Sequence, residues 1–565
     1  MPFFIYAGRN VFMTNDEKRL AWIRCPAMPE ELLDKLKAMN QEETDDCFYR
    51  DLAFGTGGLR GVLGAGTNRM NVFTVLKATR GLGRYLKTVT ESPSCAVSYD
   101  SRIHSRDFAD LAAAALADMG ILVWLYPRLS PTPMLSYAVR HHHTTAGVMI
   151  TASHNPAKYN GYKVYGADGC QITLNAAETI LSFIESEPDL MDSLPDFRIG
   201  LDRGMIRYIP DDTVEAYYQD ILKLRVSPAS CPLHLVYSPL NGTGNLPVRE
   251  MMRRLGYVRV DVVREQELPD GNFPTCPYPN PEIREAMQLA IEQAVASGAD
   301  LCFATDPDCD RMGAGIRAGG DIRLISGNDM GILMLDYLLR NKEHGSMPFV
   351  VVKTIVTSEM AAAICRKYGA ELRNVLTGFK FIGEQIGFLE AKNEQERFLF
   401  GFEESYGYLS GTDVRDKDAV NAALLLCEMA SSLKAEGKTL LDRLEELRNE
   451  FGFYAQRLLT FEYDGEDGAR MMASIMASLR APDLSETGSL IASAEKKDYL
   501  TGVGSLPPAD VLEFRMKDGG KLVIRPSGTE PKIKVYLFAQ GASGAEAEAL
   551  LDGMETAVRE LLKIA

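Results

Sequence analysis

The hexapeptide Thr151-Ala152-Ser153-His154-Asn155-Pro156 offers a serine hydroxyl in a setting suited to nucleophilic chemistry. An apolar run, Gly147-Val148-Met149-Ile150, leads into it and reads as a short buried strand. The chain then breaks into small polar residues and a proline, the signature of a loop. A strand that delivers a hydroxyl to an exposed loop is a common way to present a nucleophile. An inert Ser/Asn turn has the same local signature, so the role of Ser153 depends on what else the chain supplies.

A second constellation is Asp306-Pro307-Asp308-Cys309-Asp310-Arg311, just after the apolar run Leu301-Cys302-Phe303-Ala304. Carboxylates at alternate positions of an extended loop can converge on one point. Two of them about 4 Å apart repel by roughly 4 kcal/mol at an effective dielectric near 20, so the cluster calls for a cation. All-oxygen ligation suits Mg²⁺ or Ca²⁺. An EF-hand is excluded, because Arg311 and Arg317 fall where that loop needs Gly and Glu. A third stretch, Arg525-Pro526-Ser527-Gly528-Thr529-Glu530-Pro531-Lys532, combines an arginine fork, two hydroxyls and a glycine, a plausible phosphate nest. A fourth, Gly401-Phe402-Glu403-Glu404-Ser405-Tyr406-Gly407, has carboxylates and a hydroxyl suited to sugar hydroxyls. Adjacent His141, His142 and His143 cannot all face one metal and read as a surface turn. Phe54 to Gly61 is glycine-rich with one arginine, but its glycines miss the dinucleotide offsets.

These loops need a scaffold. Helical patterns alternate with apolar strands at 95–99, 121–125, 233–237, 258–263, 301–304, 349–352 and 398–400, which predicts α/β architecture. Most of these strands run into polar or glycine-bearing loops, where α/β proteins place ligands. Pro29 to about Cys47 predicts one amphipathic helix. After about Gly452 the texture changes to two close strands, 521–525 and 533–537, and a final helix opened by Ser543 and Glu546, an α+β unit. No internal repeat is visible by identity.

With 565 residues, 46% hydrophobic and 24% charged, the chain reads as a globular protein of about three or four domains. A net charge of −16 argues against non-specific nucleic-acid or anionic-membrane binding. Ten scattered cysteines without a C-x-x-C pair fit reduced cytosolic thiols. No apolar stretch reaches the roughly 18 residues of a membrane helix. The expected location is the cytoplasm, and the expected assembly a monomer or weak homo-oligomer.

The four motifs together describe phosphoryl transfer to or from a sugar. In this order they resemble the α-D-phosphohexomutase superfamily, as do Phe54–Gly61, Asn160-Gly161-Tyr162-Lys163, Pro239–Gly244 and Thr377-Gly378-Phe379-Lys380. The resemblance spans nearly the whole chain. It implies three α/β domains with mixed sheets plus a C-terminal α+β domain around a central cleft, here 1–210, 211–325, 326–452 and 453–565. It implies a phosphorylated Ser153, with Mg²⁺ held by Ser153, Asp306, Asp308 and Asp310. Arg60, Lys163 and Lys417 would lie near the reacting groups, with His154 as a polar neighbour of the serine and Arg311 contacting the phosphoserine region. Thr377, Gly378, Glu403 and Ser405 would meet the sugar, and Arg525, Ser527, Gly528 and Thr529 its non-reacting phosphate. The implied reaction interconverts glucose 1-phosphate and glucose 6-phosphate through glucose 1,6-bisphosphate. Mannose- and pentose-phosphate branches remain alternatives, as does a non-catalytic sugar-phosphate-binding member.

Overall fold

The computed structural model describes residues 13–227, 231–343, 345, 347–463, 465–481, 494–504, 506–517, 519–526 and 532–562. Four sheets follow one another along the chain. The first contains β1 (Phe54–Gly55), β2 (Gly58–Val62), β3 (Ser94–Tyr99), β4 (Leu122–Leu125), β5 (Ala146–Ile150), β6 (Tyr159–Gly166) and β7 (Ile206–Tyr208), in the order β1-β2-β6-β5-β3-β4-β7. The second orders β12 (Asp321–Ile325), β11 (Met312–Ala318), β10 (Leu301–Thr305), β8 (Leu233–Ser238) and β9 (Val258–Val262). The third orders β14 (Glu371–Val375), β13 (Val350–Thr354), β15 (Phe398–Phe402) and β16 (Tyr408–Ser410).

These three sheets share a plan. A parallel core (β5-β3-β4-β7, β10-β8-β9 and β15-β13-β14) is flanked by an antiparallel strand that directly follows the parallel strand at that edge. So β5 turns back into β6, β10 into β11 and β15 into β16. Every residue of β5, β10 and β15 is buried, as strands covered on both faces require. The repetition is one of topology, which identity in the sequence does not reveal.

The fourth sheet is wholly antiparallel: β17 (Phe453–Glu462), β21 (Lys532–Gly541), β20 (Lys521–Pro526), β19 (Leu512–Arg515) and β18 (Glu495–Asp498). With the helix Gly544–Leu561 packed on it, this is the expected α+β unit. Its own core centres on Leu512, Phe514, Leu522, Ile533 and Val535, whereas one continuous cluster joins the first three units. Ile355, Val356 and Leu376 meet Tyr499, Val523 and Tyr536 where the third and fourth units touch.

One expected element is corrected. Residues 29–47 form two helices, Glu30–Ala38 and Gln41–Phe48. Asn40 opens the second, accepting from the Glu43 amide (2.9 Å) while its own amide donates to Glu43 Oε2 (2.9 Å). That capping box outcompetes continuation of the first helix. All ten cysteines are free, and among the described residues no helix is long and apolar enough to cross a membrane.

Candidate active site

Ser153 stands in the loop that links β5 to β6. Ile150 pairs with Tyr162, and residues 151–158 run beyond that last rung before β6 begins. The serine has φ +52°, a left-handed backbone that costs a residue with a Cβ and persists only when its surroundings enforce it. Thr151 Oγ1 accepts the Ser153 amide (2.8 Å) and donates to Asp100 Oδ2 (2.6 Å). Arg102 donates to the carbonyls of Pro156 and Tyr159 (3.0 Å each) and to those of Ser153 and Asn155. Its Nε lies 3.3 Å from Asp100 Oδ2, and its guanidinium lies 5.1 Å from the Phe273 ring of the second unit. Sequence reasoning missed Arg102 and Asp100. The available signal was their place, at the carboxyl end of β3, beside β5 in the sheet.

Asp306, Asp308 and Asp310 occupy the β10–β11 loop. Asp306 Oδ1 accepts the amides of Asp310 (3.1 Å) and Arg311 (3.0 Å), winding the loop around its own first carboxylate. The three carboxylates offer oxygens within 4.8 Å of one another and are buried, the only such His/Cys/Asp/Glu group among the described residues. Ser153 Oγ donates to Asp306 Oδ2 at 2.9 Å, which brings the serine of one unit to the acidic loop of the next. Asp308 Oδ2 accepts from Thr132 Oγ1 (2.9 Å) and Lys163 Nζ (2.8 Å). The Oδ1 atoms of Asp308 and Asp310 are buried with no hydrogen-bond donor. Orphaned anionic acceptors are rare in folded proteins, and here they fit a divalent cation. Burial, then the charges of Asp308 and Asp310, push Asp306 well above the carboxylate range. Burial acts likewise on Asp308, but Lys163 overrides it and holds Asp308 down.

Of the cations named from sequence, Lys163, Lys417 and Arg311 converge on this loop. Lys163, on β6, is buried and lies 3.6 Å from Asp310 as well as bonding Asp308. Lys417 is buried, 3.4 Å from Asp310 and 3.2 Å from Asp416. A Cβ on Gly407 would stand 2.2 Å from Lys417 Cδ, so that glycine makes room for the lysine. Tyr165 (2.8 Å) and Gln171 (3.2 Å) donate to Asp416 Oδ2, a support that sequence reasoning also missed. Despite burial, their carboxylate partners hold both lysines above their ordinary range, so both are charged. Arg60, on β2, donates to Asn155 Oδ1 at 3.2 Å. Arg311 donates to Glu282 at 2.6 Å, with Asp310 3.9 Å from its Nε. His154 Nδ1 lies 3.2 Å from Ser153 Oγ. Burial, then Arg311 and Arg60, keep that imidazole neutral, well below its usual titration range. His142, from the histidine run, stacks on Trp124 with ring centroids 4.4 Å apart.

The β15–β16 loop completes the group. Arg311 and Gly407 form an antiparallel bridge, and the Met312 amide donates to the Tyr406 carbonyl (3.1 Å). Glu403 is buried, its Oε1 accepting the Gly378 amide at 3.0 Å. Thr377 precedes that glycine and, like Ser405, is half-buried. The three linking loops each hold a non-glycine residue in the left-handed region: Ser153 (+52°), Cys309 (+53°) and Tyr406 (+64°). Arg525, near the end of β20, lies beside Tyr536, which also feels Glu403 and Glu404. Ser527, Gly528 and Thr529 lie outside the described residues.

A buried serine against three aspartates, ringed by charged lysines and facing a carboxylate-bearing loop, defines a phosphoryl-transfer enzyme of the phosphomutase class. The chain belongs to the phosphoglucomutase/phosphomannomutase family. Profiles of that family's alpha/beta/alpha domains I, II and III match residues 51–190, 215–319 and 326–451, and its C-terminal domain matches 476–557. The phosphoglucomutase of Staphylococcus aureus (strain MSSA476) is 38% identical over 509 residues, 88% of this chain and 91% of that protein. That of Staphylococcus haemolyticus (strain JCSC1435) is 38% identical over 507 residues, 87% and 90% of the two chains. The solved open form of the Paramecium phosphoglucomutase pp63/parafusin shares the fold at TM-score 0.68 and 17% identity, over 91% of this chain and 96% of that one. A phosphoglucomutase/phosphomannomutase family protein from Burkholderia thailandensis does so at TM-score 0.66 and 19% identity, over 91% and 98%.

Proposed function

We infer that this enzyme interconverts glucose 1-phosphate and glucose 6-phosphate, with Ser153 carrying the transferred phosphoryl group. The observation that carries the reading is the 2.9 Å approach of Ser153 Oγ to Asp306 within the buried triad. In the forward half-reaction a sugar hydroxyl oxygen bonds to the phosphorus as the bond from phosphorus to Ser153 Oγ breaks, the hydroxyl gives up its proton and Ser153 Oγ takes one up, and glucose 1,6-bisphosphate results. The bisphosphate reverses in the cleft, and its other phosphoryl group returns to Ser153. Mg²⁺, held by Asp306, Asp308, Asp310 and the Ser153 phosphate, would supply neutralisation of the phosphoryl charge. Lys163 and Lys417, both charged, add to that field; Arg60 and Arg311 orient the phosphate, and neutral His154 packs against the serine as a polar contact. Thr377, Gly378, Glu403 and Ser405 read the sugar, and Arg525 with Ser527, Gly528 and Thr529 holds the idle phosphate. The same reading divides the chain into 1–210, 211–325, 326–452 and 453–565 and places it in the cytoplasm.

The test is a coupled assay of glucose 1-phosphate, mannose 1-phosphate and ribose 1-phosphate, each with its 1,6- or 1,5-bisphosphate. Glucose 1-phosphate is expected to exceed the others in kcat/KM by about tenfold or more. Ser153→Ala is expected to abolish turnover, and mass spectrometry to find phosphate on Ser153. Wild-type turnover in Ser153→Ala, or phosphate found elsewhere and never there, would refute the mechanism.

A further inference from the structure

We propose that Glu282 is a positioning residue for the phosphoryl transfer: it holds the Arg311 guanidinium beside the serine loop and off the three aspartates. The inference rests on the phosphoserine reading given above and adds to it a residue that neither the motifs nor the triad includes.

The local sequence fixes where Glu282 can stand. It follows Pro277-Tyr278-Pro279-Asn280-Pro281, whose prolines lock φ and leave the backbone few alternatives. Asn280 accepts the Glu282 amide on Oδ1 (3.1 Å) and the Ile283 amide on its carbonyl (3.0 Å), a turn that delivers the chain to the helix Arg284–Ser297. This turn lies directly on β11. A Cβ on Gly313 would stand 2.4 Å from the Pro281 carbonyl oxygen, so a larger residue there would push the two segments apart. Gly313 is two residues from Arg311, and the contact brings the Glu282 carboxylate to the guanidinium.

Arg311 is held at its backbone by the site itself. Its amide donates to Asp306 Oδ1 (3.0 Å), and the other oxygen of that carboxylate accepts from Ser153 Oγ. Its backbone also bridges Gly407 of the third unit. The side chain is pulled two ways. Asp306, Asp310 and Glu403 attract the guanidinium from within the site, but among the described residues only Glu282 accepts a hydrogen bond from it, at 2.6 Å. Arg311 Nε is buried without an acceptor, and 3.9 Å away stands Asp310 Oδ1, buried without a donor. Two unsatisfied groups of opposite charge at that separation close on each other unless one is held back. The bond to Glu282 is what holds it.

The consequence is chemical. An Arg311 released onto Asp310 would take up a carboxylate oxygen that suits the cation and withdraw its donors from a phosphate on Ser153. Glu282 gives the guanidinium a standing partner through both halves of the reaction, whether the phosphoryl group is on the serine or on the sugar. The pair also faces the third unit: burial, then the Glu282 charge, raises Tyr406 of the β15–β16 loop to about 12.

The test is a double-mutant cycle on the full-length enzyme, pairing Glu282→Gln with Arg311→Ala. The Glu282 side chain is 32% exposed, so glutamine, of the same length and with an oxygen acceptor, opens no cavity, and circular dichroism melting checks that each variant folds. Glu282→Gln is expected to lower kcat about tenfold with KM for glucose 1-phosphate nearly unchanged. In the Arg311→Ala background the same change is expected to lower kcat less than about twofold, because the residue it acts through is gone. Calorimetric titration of Mg²⁺ reads the site without turnover. Its dissociation constant is expected to rise about tenfold in Glu282→Gln and to stay level between Arg311→Ala and the double variant. Wild-type kcat in Glu282→Gln, or losses of equal size in both backgrounds, would overturn the positioning role. An unmoved Mg²⁺ constant would overturn the claim that Glu282 keeps Arg311 off Asp310. Mass spectrometry of Ser153 separates the two levels of the argument. Phosphate on Ser153 together with wild-type kcat in Glu282→Gln sinks this inference alone, whereas a wild type that turns over without ever carrying that phosphate sinks the phosphoserine reading and the inference with it.

Discussion

Arg102 does for the serine loop what no single backbone contact could. One guanidinium donates to four carbonyls, those of Ser153, Asn155, Pro156 and Tyr159, and pairs with buried Asp100. A lysine there keeps the charge but offers a point donor in place of a planar fork. Arg102→Lys is therefore expected to lower kcat by about 10²-fold through misplacement of Ser153, with KM for the sugar phosphate nearly unchanged. Steady-state kinetics checks it: a raised KM at unchanged kcat would contradict a positioning role. The same residue shows what sequence could and could not reveal. Ser153 and the three aspartates were legible as candidates because their side chains are of the types this chemistry needs and the aspartates cluster along the chain. Arg102 was not, because its acceptors are backbone carbonyls, which no residue type announces. Asp416 escaped for a related reason: its partners Tyr165 and Gln171 are about 250 residues away, and only the fold joins them.

At the scale of elements, the apolar strands were readable because most are buried on both faces, but their order in the sheets was not, since crossovers leave no local pattern. The helix pair at 30–48 was misread because Asn40 looks like any polar surface residue until its capping box forms. Between the third and fourth units lies a cluster that sequence did not single out at all. Lys353 on β13 and Lys521 on β20 share one carboxylate, Glu359, at 3.3 and 2.5 Å. Both ammonium groups are buried. Glu359→Gln would leave two buried cations without a counter-charge and is expected to cost about 3 kcal/mol. Lys353→Met leaves a balanced pair and is expected to be neutral or stabilising by about 1 kcal/mol. Burial, with repulsion from Lys521, pushes Lys353 down to about 8, below the value of about 10.4 for an unfolded lysine. Between those two values the unfolded chain binds the extra proton, so the wild type gains stability as pH rises through that window. The advantage of Lys353→Met should therefore shrink above pH 8. Denaturant melts at pH 7 and pH 9 decide it: an advantage that grows with pH would show that Lys353 is not the group responsible.

For the whole molecule, the candidate cation site is where three units meet. Ser153 comes from the first, the three aspartates from the second, and Lys417, 3.4 Å from Asp310, from the third. Those units also share one continuous apolar cluster, whereas the fourth has its own. A divalent cation that binds only the folded arrangement stabilises it by about 2.7 kcal/mol at a hundredfold excess over its dissociation constant. That gain should fall on the transition of the first three units and leave the fourth unit's melting in place. Chelation by EDTA is thus expected to lower one calorimetric transition by about 3 °C, given how little a fixed free energy moves the midpoint of a large cooperative unit. Asp310→Asn, which removes one of the two orphaned carboxylates, is expected to melt at the same temperature with and without EDTA. If the variant keeps the full shift, the stabilising cation is bound elsewhere and the triad is not its seat. If EDTA moves both transitions equally, the fourth unit is coupled to the site more tightly than the Ile355–Tyr536 contact cluster alone provides.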